Sequence, residues 1–171
     1  MSLVTLCLKR MQATELASMM LAAQAVGLNS DASKIAVVDV RDDGNLPPRR
    51  LTRALRTTDY IGGHIQGSLN FPSRSLDAMM PTLLRKLEGK ETVVFHCALS
   101  QQRGPSAALR YLREKEAAGD ANKTKKPDDV TQQQQQQTVY ILDRGFVGWQ
   151  EKYGPDERLT EAYRKEIWED Y

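Results

Sequence analysis

The residues with the clearest capacity for chemistry are Cys97 and Arg103, separated by Ala98, Leu99, Ser100, Gln101 and Gln102. An apolar run, Val93-Val94-Phe95, leads into His96-Cys97, and Gly104-Pro105 follows the arginine. Read as strand, loop and helix, each part has a use. A helix N-terminus presents unpaired backbone N–H groups and the positive end of its dipole. A tight loop leading into it can turn further N–H groups inward, a cradle for a tetrahedral oxyanion. Arg103 would add a two-pronged, charge-assisted contact to two oxygens of that anion. The same positive field favours thiolate over thiol at Cys97, and the thiolate is the nucleophile. Residues 98–103 therefore read as an oxyanion-binding loop with its own attacker at the base. The plainer alternative is a packed cysteine and a surface arginine. The strand-to-helix setting weighs against it.

These residues need elements to position them. Thr14 can cap a helix whose apolar positions include Leu16, Met19, Met20 and Ala23. Residues 35–40, 92–96 and 139–142 are short apolar runs that read as buried strands. The glycine-dense stretch 61–68 reads as a turn-rich connection, and 76–87 as a helix ended by Gly89. Pro105 suits the first turn of the next helix. Leu159, Ala162, Tyr163 and Ile167 predict a final helix with one apolar face. Strands alternating with helices imply an α/β chain with a mainly parallel sheet covered on both faces.

The 171 residues fit one domain, 1–171. Two stretches, 44–58 with its Pro47-Pro48 and four arginines, and 119–138 with its glutamine tract, read as flexible insertions. A formal charge of +2 is too small to argue for nucleic acid or an anionic membrane. No apolar run approaches the roughly 18 residues of a membrane span. Two cysteines are too few for a disulfide framework, and no Cys/His spacing predicts a metal site. The apolar residues 3–8 are too short for a signal-peptide core, so a reducing cytoplasmic or nuclear setting is the default.

The run His96-Cys97-x-x-Ser100-x-x-Arg103-Gly104-Pro105 resembles the active loop of the M-phase inducer phosphatases. It is equally similar to that of their small fungal and protozoan relatives with phosphatase or arsenate reductase activity, all of the rhodanese fold. Asp39-Val40-Arg41-Asp42 resembles the end of an early rhodanese strand, and Asp59-Tyr60 the acid-Tyr pair normally close behind it. Gly63-His64-Ile65-x-Gly67-Ser68-x-Asn70 is similar to the Gly-His-Ile-x-Gly-Ala/Ser-x-Asn signature. Gly145-Phe146-x-x-Trp149 resembles the closing Gly-Gly-Phe-x-x-Trp, with Arg144 in place of the first glycine. The resemblance implies a three-layer fold, a central sheet of about five strands between helices. Sulfurtransferase rhodaneses carry a loop one residue shorter, so the longer loop resembles the phosphatase and arsenate reductase type.

On this resemblance Cys97 would attack phosphorus and form a phosphocysteine that water hydrolyses. With arsenate, the cysteine adduct would pass to glutathione, with glutaredoxin as partner; no other cofactor is implied. Ser100 would either hydrogen-bond the leaving thiolate or stabilise the turn. The M-phase inducers have acids within this loop, whereas here the variable positions are Ala98, Leu99, Gln101 and Gln102. No general acid is evident, which suits aryl phosphates or arsenate, whose leaving groups need less help. A phosphorylated protein remains a candidate partner.

Other residues carry plainer readings. Asp39 and Arg41 read as fixing the loop after their strand. His64 reads as a structural histidine, and His96, pointing away from Cys97 on an alternating strand, as a supporting residue. Cys7 reads as a small apolar residue rather than a resolving thiol. Three functions follow: a tyrosine or dual-specificity phosphatase, an arsenate reductase in the same pocket, and a non-catalytic phosphate-binding or scaffold module. Retained Cys97 and Arg103 disfavour the last.

Overall fold

Three apolar runs make the centre of a sheet because each is buried on both sides. In a computed structural model, which describes residues 8–29, 31–42, 62–122 and 137–169, these are strands β2 (Ile35–Asp39), β5 (Thr92–His96) and β6 (Thr138–Leu142). Two short strands flank them, β1 (Lys9–Met11) and β4 (Leu69–Asn70), giving a parallel sheet of order β1-β6-β5-β2-β4. The expected α/β class and strand number hold.

Side-chain alternation along the central strands assigns the two faces. Ala36, Val38, Val40, Val93, Phe95 and Cys97 pack in one cluster with α2 (Leu76–Lys86) and α3 (Arg103–Asn122). Val37 and Val94 point the other way, into a cluster with α1 (Ala13–Ala25) and α4 (Gly145–Tyr153). Leu76, Met80, Leu83 and Leu87 recur at helical spacing, and all four are buried. Each such side chain contributes about 1.5–3 kcal/mol of burial. The register pairs Asp39 with His96, so β2 and β5 end side by side. Loops at the carboxyl ends of adjacent parallel strands are where an α/β sheet builds its sites.

Some expectations need correction. The helix expected from Leu159, Ala162, Tyr163 and Ile167 does not form. Instead Thr160–Glu161 is strand β7, antiparallel to β3 (His64–Ile65), Ala162 has φ of +52°, and a 3-10 turn follows over Lys165–Ile167. Leu159 and Trp168 are buried by this extended strap, which matches their apolar character without a helix. Thr14 is not the cap of α1; Gln12 takes that position without a side-chain cap. The stretch 44–58 and Cys7 lie outside the described residues, as do 123–136.

The two ends of the 119–138 stretch are regular structure, since α3 runs to Asn122 and β6 begins at Thr138. Its last glutamine is an anchor. Gln137 accepts from the Tyr111 hydroxyl (2.6 Å) and Lys115 (2.8 Å), and donates to the carbonyls of Leu87 (2.9 Å) and Lys90 (2.8 Å). Burial pushes the Tyr111 phenol up to about 12, so it remains a donor. Gln137→Ala removes all four contacts, and we expect a loss of about 2 kcal/mol in stability by urea denaturation. A change within about 0.5 kcal/mol, the range of ordinary surface substitutions, would deny the anchoring role.

Candidate active site

Cys97 follows β5 directly and lies almost wholly buried, 4 % exposed, at the floor of the loop. Ser100 occupies the left-handed region, φ +53°, uncommon for a residue with a side chain. That conformation turns its backbone N–H onto the Cys97 sulfur at 3.2 Å. Its carbonyl accepts from Arg10 Nη2 at 3.3 Å, on the edge strand β1. The Ser100 hydroxyl is buried with no hydrogen-bond partner among the described residues. A buried orphaned donor fits a site shaped for a guest acceptor.

The first N–H groups of α4 hold the back of the loop. Phe146 N–H donates to the Cys97 carbonyl at 2.9 Å and Val147 N–H to the Ala98 carbonyl at 3.0 Å. In a trans peptide the next N–H points opposite to the carbonyl. The amides of Ala98 and Leu99 therefore face away from α4. This close approach requires Gly145, whose φ is +55°, because a Cβ there would stand 2.4 Å from the Ala98 carbonyl oxygen. The sequence drew attention to Gly145 and Phe146 as a motif, but their contact with the loop is made by backbone and left no side-chain signal.

Asp39, Arg41 and His96 form a buried brace behind the loop. Arg41 Nε lies 2.9 and 3.0 Å from the two Asp39 carboxylate oxygens, and Nη2 donates to Oδ2 at 2.6 Å. Nη2 also donates to the Gly63 carbonyl at 2.8 Å, and the guanidinium sits 4.1 Å from the Phe146 ring centroid. His96 Nε2 is 3.8 Å from Asp39 Oδ2, while its Nδ1 is 3.1 Å from the Cys97 carbonyl. Its ring stacks on Phe146, the face opposite Cys97, as strand alternation predicts. His64 meets Glu161 at 2.7 Å, where β3 pairs with β7, in keeping with a structural role.

Burial by itself would raise the Asp39 carboxyl. The charges of His96 and Arg41, with hydrogen bonds from Arg41, outweigh it and hold the group below its ordinary value of 3.8. A depressed carboxylate stabilises the fold above its unfolded pKa and loses that contribution as pH falls through its folded value. The Asp39 carboxyl resonance should accordingly titrate below pH 3.8. Stability owed to it should be constant above about pH 5 and fall only below about pH 4. A carboxyl NMR titration with a midpoint above 4.5 would contradict this electrostatic account, a shift in the direction burial alone produces.

Arg103 begins α3 at the loop's far end, with its side chain 37 % exposed. Its Nη1 lies 3.5 Å from Asp42 Oδ2, and Asp42 also accepts from the Ser73 hydroxyl at 3.2 Å. Asp42 appeared in the sequence only as part of a motif; its place beside Arg103 depends on the fold. Ala98 is buried, whereas Leu99, Gln101 and Gln102 are exposed. Cys97, Ser100 and Arg103 thus belong to one strand-to-helix loop, with Asp39, Arg41 and His96 behind it. A sulfur nucleophile under an inward amide, beside a helix N-terminus, can bind and attack a tetrahedral oxyanion. Among the described residues no group of three or more His, Cys, Asp or Glu could hold a metal ion, and no helix is long and apolar enough to cross a membrane.

A family model of the Rhodanese-like domain matches residues 13–152. The chain is 37% identical over 145 residues to Arsenate reductase 2.1 of Oryza sativa subsp. japonica, covering 82% of this chain and 72% of that protein. It is 38% identical over 132 residues to Dual specificity phosphatase Cdc25 of Arabidopsis thaliana, covering 75% and 70%. Among solved structures it is similar to Ygr203w, a yeast protein tyrosine phosphatase of the Rhodanese family, with TM-score 0.65, 29% identity and coverage of 94% and 96%.

Proposed function

The chain belongs to the rhodanese-like domain family, and from that membership we propose that it is a cysteine-dependent phosphatase of the tyrosine or dual-specificity type. The observation that carries this reading is the Ser100 N–H on the Cys97 sulfur, at 3.2 Å, in a loop whose carbonyls α4 draws backward. Cys97 thiolate attacks phosphorus; a P–S bond forms as the bond to the leaving oxygen breaks. Amides of the loop and Arg103 carry the charge that builds on the phosphoryl oxygens. Water then attacks the phosphocysteine, releasing inorganic phosphate and returning the thiolate. The orphaned Ser100 hydroxyl supplies a donor to that departing sulfur or to an oxygen of the anion. Asp39, Arg41 and His96 position the loop from behind.

A second reading, arsenate reductase, is favoured by the loop interior of Ala98, Leu99, Gln101 and Gln102, which offers no acid to an alkoxide leaving group. Arsenate is close to phosphate in size and charge. Its Cys97 adduct, attacked by glutathione, yields a Cys97–glutathione disulfide and As(III), the two thiols supplying two electrons. Glutaredoxin would then regenerate Cys97. Both readings place the protein in a reducing compartment, cytoplasm or nucleus. One assay set separates them: wild-type turnover of p-nitrophenyl phosphate, and arsenate reduction with and without glutathione and glutaredoxin. Hydrolysis without thiol supports the first reading; strictly thiol-dependent arsenate turnover with no hydrolysis supports the second. Clean, folded protein with neither activity would defeat both.

A further inference from the structure

Beside the loop, between the start of α2 and the first turns of α3, lies a groove of about 520 Å³. Its lining includes Ser73, Asp77, Gln102, Arg103, Arg110 and Arg113. The loop meets this groove at Gln102 and Arg103, so the groove can hold what is attached to an anion bound in the loop. Asp77 is the one carboxylate of the lining, and Asp42 and Glu114 meet Arg103 and Arg110 from beside it, so Arg113 carries the positive charge that these acids do not offset. Arg110 and Arg113 lie about 10 and 15 Å along α3 from Arg103, at 1.5 Å per residue. An extended peptide advances about 3.3 Å per residue, so those distances correspond to roughly three residues and four to five residues.

Arg110 already touches acids, with Nη2 3.4 Å from Asp77 and Nε 3.3 Å from Glu114. Both contacts are at the surface, the side chains of Asp77 and Glu114 being 73 % and 43 % exposed. Pairs of that kind contribute about 0–1 kcal/mol and yield readily to an incoming carboxylate. Arg110 keeps further N–H donors for such a guest. We propose that this groove is a specificity subsite for a carboxylate side chain three to five residues from the phosphorylated residue of a peptide substrate. The inference rests on the phosphatase reading and narrows its substrates to phosphopeptides with a flanking acid.

Two phosphotyrosine peptides test it, identical except for glutamate or lysine at the third to fifth positions on both sides. Wild type should favour the glutamate peptide by about tenfold in kcat/KM. In Arg110→Ala/Arg113→Ala the ratio should fall to near one, and high salt should reduce it in wild type. A double variant that merely distorted α3 would slow both peptides alike and keep the ratio. A wild-type ratio near one, or one the double variant leaves intact, overturns the subsite. Wild-type turnover of p-nitrophenyl phosphate reads the phosphatase assignment separately. If that turnover is absent, the same peptides, fluorescein-labelled and titrated with Cys97→Ser, give the ratio by anisotropy as dissociation constants.

Discussion

Cys97→Ser is expected to remove hydrolysis of p-nitrophenyl phosphate, a loss of about four orders of magnitude or more, as when a covalent nucleophile is deleted elsewhere. The substitution changes one atom, and the Ser100 N–H that now meets sulfur at 3.2 Å can meet a hydroxyl oxygen instead. The fold and the oxyanion cradle should therefore survive, and phosphate or vanadate should still raise the melting temperature of the variant. Retained binding with lost turnover is the signature of a missing attacker. An unfolded variant would lose both. The thiol-dependent reduction of arsenate should vanish in parallel, because both readings use the same sulfur. A rate above about one hundredth of wild type would mean another group attacks, far more than residual catalysis by binding and charge stabilisation leaves.

How far the sequence carried this site depended on which atoms do the work. Side-chain identities were legible: an apolar run ending in Cys97, an arginine opening the next helix, and the paired Asp39 and Arg41. Central strands were legible too, since a run such as Val93-Val94-Phe95 has no polar residue to give it a solvent face. What escaped was main-chain geometry and long-range pairing. Strand β1 is only Lys9, Arg10 and Met11, two charges and one buried side chain, and nothing in it predicts pairing with β6. Yet it brings Arg10 to the Ser100 carbonyl. The helix N–H groups of Phe146 and Val147 face the loop because Gly145 permits the approach, and any residue type but proline could have supplied them. The strap after Leu159 was misread because apolar spacing records which residues are buried. It did not distinguish a helix from a strand and a 3-10 turn that bury Leu159 and Trp168 equally well.

Arg103 poses the sharpest energetic question, because its guanidinium lies 3.5 Å from the Asp42 carboxylate. That distance is long for a hydrogen bond, so the contact is a loose ion pair. Asp42 has other partners, Ser73 at 3.2 Å and Arg74 at 3.5 Å, and can release Arg103 without being stranded. A dianion bound in the loop would be the stronger claimant on a two-pronged donor. We therefore expect Arg103→Ala to lower kcat/KM by about 10³-fold, near 4 kcal/mol of lost transition-state stabilisation. Arg103→Lys keeps the charge without the fork and should fall between the two. Asp42→Asn separates the roles. If Asp42 only competes for Arg103, that variant should bind phosphate more tightly and lose little activity. If instead Arg103 exists to hold Asp42, then Arg103→Ala and Asp42→Asn should cost the same. An Arg103→Ala enzyme keeping more than about a tenth of its activity would free the guanidinium of any catalytic duty, since one oxyanion donor alone is worth more than that.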